Sequence, residues 1–208
     1  MELLKDFIDL FLHLDTHLSE LIATYGTWTY AILFLIIFCE TGLVVTPFLP
    51  GDSLLFAAGT FAGMGDLHPG ILFLLLFSAS VLGDSTNYWI GRYIGPRAFS
   101  GNIRFLKRQY LDKTHAFYDR HGRKTVILAR FLPIIRTFAP FVAGVGEMPY
   151  GRFVSMSLAG SAAWVGLFVG AGYFFGNLQV VRENFSLVVM GIIGISLLPI
   201  AFEWAKAV

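Results

Sequence analysis

Six long stretches of this chain contain no charged side chain, and several of them approach the ~20 residues that an α-helix needs to cross the hydrocarbon core of a membrane. These stretches are residues 21–39, 41–51, 53–65, 67–83, 153–181 and 185–202. The chain is 56% hydrophobic and 14% charged, whereas about 25% of the residues of a soluble domain are charged. The sequence therefore predicts an all-α integral membrane protein that crosses the membrane more than once.

The charges are divided unevenly along the chain, although its formal net charge is only +1. Residues 1–66 hold eight acids and a single base, Lys5, whereas residues 92–124 hold nine bases and two acids. Because loops rich in lysine and arginine stay on the cytoplasmic side, we expect the basic loop at about 96–124 to lie in the cytoplasm. The loop has no nucleic-acid-binding motif, so no nucleic-acid partner is predicted.

Two amphipathic stretches are expected to lie along the membrane surface. In residues 1–22 the apolar side chains recur at helical spacing and the charged ones occupy the other side. The segment from Tyr110 to Tyr118 is a shorter and more basic candidate. The histidines of these stretches have no Glu or Cys at metal-binding spacing, so we predict neither a metal site nor any other cofactor.

The segment CETGLVVTPFLPGDSLL, residues 39–55, places two carboxylates, two prolines and two glycines in an apolar part of the chain. Proline removes a backbone donor and disfavours helix in the residue before it. We therefore expect a re-entrant hairpin at about 27–62; the alternative is that residues 25–40 cross the membrane completely. The residues expected to break the helix here are Gly42, Pro47, Pro50 and Gly51.

A second region is similar to the first. Aligning Ala58-Gly59 with Ala143-Gly144 nearly aligns Asp52 with Arg136, and a glycine-spaced apolar segment follows each region, at 83–95 and at 164–176. This pattern predicts an internal repeat, in which each half has an amphipathic helix, a proline-broken segment and a spanning helix. The second hairpin, at about 124–147, is marked by Pro133 and Pro140.

The predicted organisation is a single membrane domain, residues 1–208, built as an inverted repeat with two facing re-entrant hairpins. Its parts are repeat one at about 1–95, the basic loop, repeat two at about 110–176, and a C-terminal transmembrane helix at about 185–204. About three helices are expected to cross completely, at 70–92, 153–176 and 185–204. Glycines at close-packing spacing are expected to let helices approach each other; they are Gly91, Gly95, Gly166, Gly170, Gly172 and Gly176.

Four charged residues lie in or beside the predicted hairpins, where insertion scales put a central Asp or Arg at ~2.5–3.5 kcal/mol. One interpretation is structural: ion pairs join the two halves, and Asp52 or Ser53 caps a short helix from Leu54 to Phe61. The other is functional, because a guanidinium grips phosphate oxygens with two hydrogen bonds and a carboxylate can exchange a proton. It assigns phosphate binding to Arg130 and Arg136, and proton coupling to Glu40 and Asp52.

Other polar and aromatic residues are given weaker roles. Three residues that interrupt the spanning segment either line a transport path or make hydrogen bonds between helices; they are Asp84, Asn87 and Tyr88. The tryptophans are expected to anchor the membrane interface and to have no chemical role, although Trp164 lies too deep in its segment for an anchor. They are Trp28, Trp89, Trp164 and Trp204.

Several strings resemble the bacterial DedA family, which is related to the VTT or SNARE-associated membrane proteins of eukaryotes. In the first half they are ETGL from Glu40, FLPGDSLL from Phe48, the run from Gly83-Asp84 through Tyr88 to GRYIG at 91–95, and then His121-Gly122. In the second half they are ARFLP at 129–133, RTFAP at 136–140 and the pair Ala143-Gly144. The resemblance extends from about residue 1 to residue 205.

The resemblance implies a lipid transporter of the flippase or scramblase type in the bacterial inner membrane. It implies movement of phosphate-bearing lipid, such as undecaprenyl phosphate or phospholipid, and dependence on the proton-motive force. The family's required acids match Glu40 and Asp52, and its required arginines match Arg130 and Arg136. The expected partners are membrane lipids and protons, and a homo-oligomer is compatible with this function.

Three other functions stay open from the sequence: a proton-coupled exporter of small cations, a membrane lipid phosphatase, and a structural or assembly factor for envelope proteins. A phosphatase would need a nucleophile with a base beside it, or a metal cluster. No histidine lies within the predicted hairpins, so the chain is not expected to be an enzyme.

Overall fold

The computed structural model describes residues 14–43, 51–100 and 133–194, and within these ranges the regular secondary structure is helical. The helices are α1 (Leu14–Tyr25), α2 (Trp28–Gly42), α3 (Gly51–Met64), α4 (Pro69–Ser100), α5 (Pro133–Val145), α6 (Tyr150–Phe175), α7 (Gln179–Glu183) and α8 (Phe185–Gly194). The all-α prediction is therefore confirmed for this part of the chain.

Several predicted features lie outside the described residues and stay predictions. They are residues 1–13 of the amphipathic start, Pro47 and Pro50 at the turn of the first hairpin, the basic loop from 101 onward, Arg130, and the C-terminal helix after 194. The basic loop was predicted from about 96, but α4 continues to Ser100, so its first residues are helical.

Within the described ranges two helices are long and apolar enough to cross a membrane, namely Pro69–Gly95 within α4 and the whole of α6. Each is about 40 Å long at 1.5 Å per residue, which exceeds the ~30 Å of the hydrocarbon core. They coincide with the predicted spans at 70–92 and 153–176. Helix α2 has 15 residues and reaches only about 22 Å, so it is too short for the complete crossing considered above.

The chain divides into two compact units. Among the described residues, the first unit holds 14–36, 51–77 and 164–194, and the second holds 37–43, 78–100 and 133–163. Three helices, α2, α4 and α6, contribute one end to each unit. Both units therefore draw on both predicted repeats.

In the first unit, α3 lies directly against the C-terminal part of α6. A Cβ atom added to Gly59 would collide with the backbone of Val169, and one added to Gly172 would collide with the backbone of Phe56. Glycine at both positions lets the two backbones touch. The sequence predicted such contacts for Gly172 and Gly176, and Gly176 does meet Thr60.

In the second unit, α5 lies against the C-terminal part of α4 in the same way. A Cβ atom on Gly144 would collide with the backbone of Tyr88, and one on Gly91 with the backbone of Phe141. At Gly95 the added Cβ would lie 3.0 Å from the Cα of Val145. The close approach predicted for Gly91 and Gly95 is therefore confirmed.

The contacts of the two units correspond pair by pair. Gly59–Val169, Phe56–Gly172 and Thr60–Gly176 in the first unit stand at the aligned positions of Gly144–Tyr88, Phe141–Gly91 and Val145–Gly95 in the second. The short helix of each predicted repeat thus packs against the long helix of the other. The repeat itself stays a prediction, and this correspondence supports it.

Two glycines predicted for the same role do not have it. A Cβ atom on Gly166 would make an ordinary contact, 3.6 Å from the Phe73 ring, and one on Gly170 would meet no atom of the described residues within 4 Å. Spacing alone selected them, but these positions of α6 do not face the backbone of another described helix. The prediction is wrong for both.

Proline does not end the helix of the second predicted hairpin. Helix α5 begins at Pro133 and continues through Pro140 to Val145, so the prediction that Pro140 breaks the chain is wrong. A proline in the first turn costs no hydrogen bond. Pro140 removes the donor for the Arg136 carbonyl, but a side chain of the neighbouring helix donates to the next carbonyl, that of Thr137. Proline is tolerated within apolar helices that pack against neighbouring helices, as α5 packs against α4.

The glycine contacts can be tested with matched substitutions. Gly91→Ala should lower the free energy of unfolding by about 1–3 kcal/mol, because the new methyl group must push α4 away from α5. Gly170→Ala, in an open helical position, should be neutral or stabilising by up to about 1 kcal/mol. Thermal unfolding of the two purified variants in one detergent compares them directly. Equal effects of the two substitutions would contradict the packing described here.

Candidate functional site

A buried ion pair lies in the second unit. The Nη2 atom of Arg136 donates to Oε1 of Glu40. Glu40 is near the end of α2 and Arg136 is in the first turn of α5. The two residues are 0% and 3% exposed, so solvent hardly reaches either charge. Of the pairings considered from the sequence, the structure therefore brings Glu40 and Arg136 together.

The pair is needed because both charges lie in an apolar interior. Burying one charge in the middle of a membrane costs ~2.5–3.5 kcal/mol by insertion scales. Contact between opposite charges offsets much of that cost, since water is not there to screen it. A buried pair adds little net stability, but removal of one partner typically costs about 3–5 kcal/mol.

Asn87 holds the two backbones that carry this ion pair. Its Nδ2 atom donates to the carbonyl of Thr41 at 3.1 Å and to the carbonyl of Thr137 at 2.7 Å. These two residues directly follow Glu40 and Arg136. The Thr41 carbonyl is in the last turn of α2, where carbonyls lack partners within the helix, and the Thr137 carbonyl is next to the Arg136 carbonyl, which loses its helical donor at Pro140. One amide thus bridges two helices at the ion pair.

The carbonyl oxygen of the Asn87 side chain is also buried, and it has no hydrogen-bond partner among the described residues. An amide can accept as well as donate, so this oxygen is able to accept a hydrogen bond from a bound molecule. Sequence reasoning placed Asn87 either in a transport path or between helices. The contacts that the structure records for it are interhelical hydrogen bonds.

Asp84 and Tyr88, the other two residues of that group, also bond across helices. Ser157 on α6 donates to Oδ2 of Asp84 at 2.6 Å. The Tyr88 hydroxyl donates to the carbonyl of Met148 at 2.5 Å, and its ring stacks on Phe153 with centroids 4.7 Å apart. These contacts join α4 to α6 and to the turn before it.

A second acidic centre lies in the first unit. Asp52 is in the first turn of α3, and its Oδ1 atom accepts a hydrogen bond of 2.8 Å from Nε1 of Trp164. Both side chains are buried. The helix begins at Gly51 rather than at Leu54, so Asp52 is within the first turn, where a negative charge is favourable.

The role of Trp164 was missed from the sequence. Tryptophan in a membrane segment is usually an interfacial anchor, and all four were assigned no chemistry. The signal was its position, too deep for an anchor. A buried indole N–H normally finds an acceptor, and a carboxylate in an apolar segment needs donors, so the two requirements together point to this pair.

The remaining predicted residues have plainer positions. Gly42 is the last residue of α2 and Gly51 the first of α3, and the predicted turn of the first hairpin lies outside the described residues, as does Arg130. Within the described ranges no three His, Cys, Asp or Glu side chains are grouped so that they could hold a metal ion. The Glu40–Arg136 pair with Asn87 is named here the ion-pair centre, and it is the candidate site.

Comparison with known proteins gives a consistent result. The model of the VTT domain family matches residues 49–174. The chain is 55% identical over 206 residues to Protein DedA of Escherichia coli strain K12, an alignment that covers 98% of this chain and 94% of that protein. No solved structure matches it.

Two further relatives are more distant. An uncharacterized membrane protein of Mycobacterium tuberculosis strain H37Rv is 42% identical, over 88% of this chain and 81% of its own. Inner membrane protein YqjA of Escherichia coli strain K12 is 32% identical, over 73% of this chain and 69% of its own. These similarities extend well beyond the candidate site.

The coupling within the ion-pair centre can be measured by a double-mutant cycle. Arg136→Met and Glu40→Gln should each lower the free energy of unfolding by about 3–5 kcal/mol, since each leaves a buried partner without its counter-charge. The double variant should lose clearly less than the sum of the two. Unfolding in detergent gives the three values, with Arg152→Met, at an exposed position, as the control. Strictly additive losses would show that the two charges do not interact.

The Asp52–Trp164 contact has its own test. Trp164→Phe keeps an aromatic ring but removes the donor, and it should lower the free energy of unfolding by roughly 1–2 kcal/mol. Asp52→Asn should then cost less in the Trp164→Phe background than in the original chain. Trp89→Phe, at a position 51% exposed, serves as the matched control. If Trp164→Phe is as harmless as Trp89→Phe, the hydrogen bond does not contribute to stability.

Proposed function

Because this chain belongs to the VTT domain family together with the DedA proteins, we propose that it carries phosphate-bearing lipid across the bacterial inner membrane. The substrate class is undecaprenyl phosphate or phospholipid, and the movement is of the flippase or scramblase type. The chain is a membrane protein with two helices long enough to span a bilayer. A multi-pass position in the inner membrane fits the similarity to YqjA, which is named as an inner membrane protein.

The buried Arg136–Glu40 pair is the observation that carries the proposal. An arginine in an apolar interior is costly and usually marks a path for ions or substrates. Its guanidinium can form two parallel hydrogen bonds to a phosphate group and stays charged at physiological pH. In the structure the carboxylate of Glu40 occupies that guanidinium, so an arriving phosphate must compete with an acid that is already there.

That competition provides a route to proton coupling. When Glu40 takes up a proton it loses the charge that holds Arg136, and the guanidinium becomes available to the lipid phosphate. When Glu40 releases the proton, the ion pair re-forms and displaces the phosphate. Proton binding to Glu40 and phosphate binding to Arg136 therefore favour each other. A proton gradient would bias the direction of lipid movement.

The rest of the proposed site follows the sequence. Arg130 supplies a second guanidinium and Asp52 a second acid, as the resemblance to the DedA family implies. The two segments form facing re-entrant hairpins, and the lipid tail stays in the bilayer while the headgroup moves between them. Membrane lipids and protons are the proposed partners, and no cofactor is required.

Reconstitution tests this function. Purified protein in liposomes, with headgroup-labelled lipid on one side, should move intact lipid faster when a pH gradient is applied. Arg136→Lys keeps the charge but cannot form two parallel hydrogen bonds to a phosphate, so transport should fall at least tenfold, equivalent to ~1.4 kcal/mol. Arg130→Lys should behave in the same way. Arg152→Lys, at an exposed position, should transport normally.

The other results distinguish the alternatives. Release of free phosphate from the labelled lipid would indicate a phosphatase. Uptake of small cations without lipid movement would indicate an exporter, and no movement of either would favour a structural or assembly role. If Arg130→Ala and Arg136→Ala both transport lipid normally, the anion site is assigned to the wrong residues.

A further inference from the structure

The first unit contains a cavity that shares no residue with the ion-pair centre. Its volume is about 440 Å³, which is within the range of pockets for small ligands. It lies beside α1, the C-terminal end of α3, and the region where α7 gives way to α8. The residues that line it and matter here are Asp15, Glu20, Thr60, Phe61, Arg182 and Phe185.

The cavity presents both signs of charge. Asp15 and Glu20 come from α1, whereas Arg182 comes from the last turn of α7. Among the described residues, no ion pair joins Arg182 to either acid. The opposite charges therefore line one space without neutralising each other. A ligand with a cationic end and an anionic end can meet both.

The inner wall of the cavity is apolar. Phe61 and Phe185 are both largely buried, and the Phe185 ring lies 6.0 Å from the ring of Phe56. Leu14 and Leu18, on the apolar face of α1, are buried in the protein. This leaves the polar face of α1 for the cavity. The ligand is therefore expected to be amphipathic, with charged groups near α1 and α7 and apolar atoms against the phenylalanines.

The position of the cavity relates it to the end of a spanning helix. The carbonyl of Thr60 accepts a hydrogen bond of 3.3 Å from Asn177, which lies just beyond the end of α6 at Phe175. Helix α6 is long and apolar enough to cross a membrane. Lipid headgroups lie at the ends of such helices, outside the hydrocarbon core.

From these observations we propose that the cavity binds the headgroup of a zwitterionic phospholipid that carries a primary amine. The ammonium group lies against Asp15 and Glu20, and the phosphate lies against the guanidinium of Arg182, which suits phosphate oxygens. The glycerol end lies against the phenylalanines. A purely anionic headgroup would face two acids, and a simple cation would face an arginine, so the charges favour a ligand with both.

Binding to the purified protein tests this proposal without any transport measurement. Native mass spectrometry in detergent can compare short-chain phosphatidylethanolamine with short-chain phosphatidylglycerol, which has the phosphate but no amine. We expect phosphatidylethanolamine to bind at least tenfold more tightly. The double variant Asp15→Asn, Glu20→Gln should lose this preference, and Arg182→Gln should weaken the binding of both lipids about tenfold.

Matched controls lie close by. Glu183→Gln changes the residue next to Arg182. Glu183 accepts a hydrogen bond from Gln179 and does not line the cavity. Arg152→Gln removes an exposed arginine elsewhere. Neither should change binding. Glu20 and Arg182 are exposed and Asp15 is half-buried, so the variants should unfold at the same temperature as the original chain.

Three results would overturn the proposal. Equal affinity of the unsubstituted protein for the two lipids would do so, and this comparison does not depend on any variant. An unchanged preference in the double acid variant would also do so. Soluble glycerophosphoethanolamine binding as tightly as the lipid would show that the cavity takes a free metabolite. The transport results of the Arg136 variants, whether transport is lost or kept, do not bear on these three outcomes, because the two sites share no residue.

Discussion

An apolar interior contains no water to satisfy a charged side chain or an open backbone carbonyl, so each must find its partner in the protein. In the second unit one place meets this requirement for a carboxylate, a guanidinium and two backbone carbonyls. The Glu40 carboxylate meets Arg136, and the Asn87 amide takes the carbonyls that follow both of them. The contacts depend on each other, because a shift of α2 against α5 would separate the charges and also pull both carbonyls from Asn87. The ion pair and the two hydrogen bonds of Asn87 therefore stabilise the same placement of α2 against α5.

The sequence predicts the part of this arrangement that follows from the small number of charged residues in the apolar segments. Charged residues are few in the apolar segments, and opposite charges there must pair, so Glu40 with Arg136 was among the pairings it offered. It missed the hydrogen bond between Trp164 and Asp52, because a tryptophan in a membrane segment is usually an interfacial anchor and its depth was not weighed as a need for a hydrogen-bond acceptor. It was wrong on Pro140 for a related reason. The rule that proline ends a helix is local, and it takes no account of the packing of α5 against α4.

The glycines show the same limit in a different form. Their spacing predicted a side of the helix without side chains, where another helix can approach closely, and this prediction was correct for Gly91 and Gly95. Spacing does not say whether another backbone reaches that side, and at Gly170 none of the described atoms does. The aligned contacts of the two units add what spacing could not. One packing arrangement occurs twice, with the Asp52–Trp164 hydrogen bond in the first unit and the ion pair with Asn87 in the second.

The exchange of helices between repeats affects how the protein can be synthesised. Asp52 leaves the ribosome 112 residues before Trp164, and Glu40 leaves it 96 residues before Arg136. At ~5–20 residues per second, each early acid therefore waits roughly 5–20 s for these partners. During that time neither carboxylate can make the contact that it has in the finished fold, and both depend on water or on the insertion machinery for hydrogen bonds. A ribosome that stalls after the first repeat releases a chain that has both acids and neither of these partners.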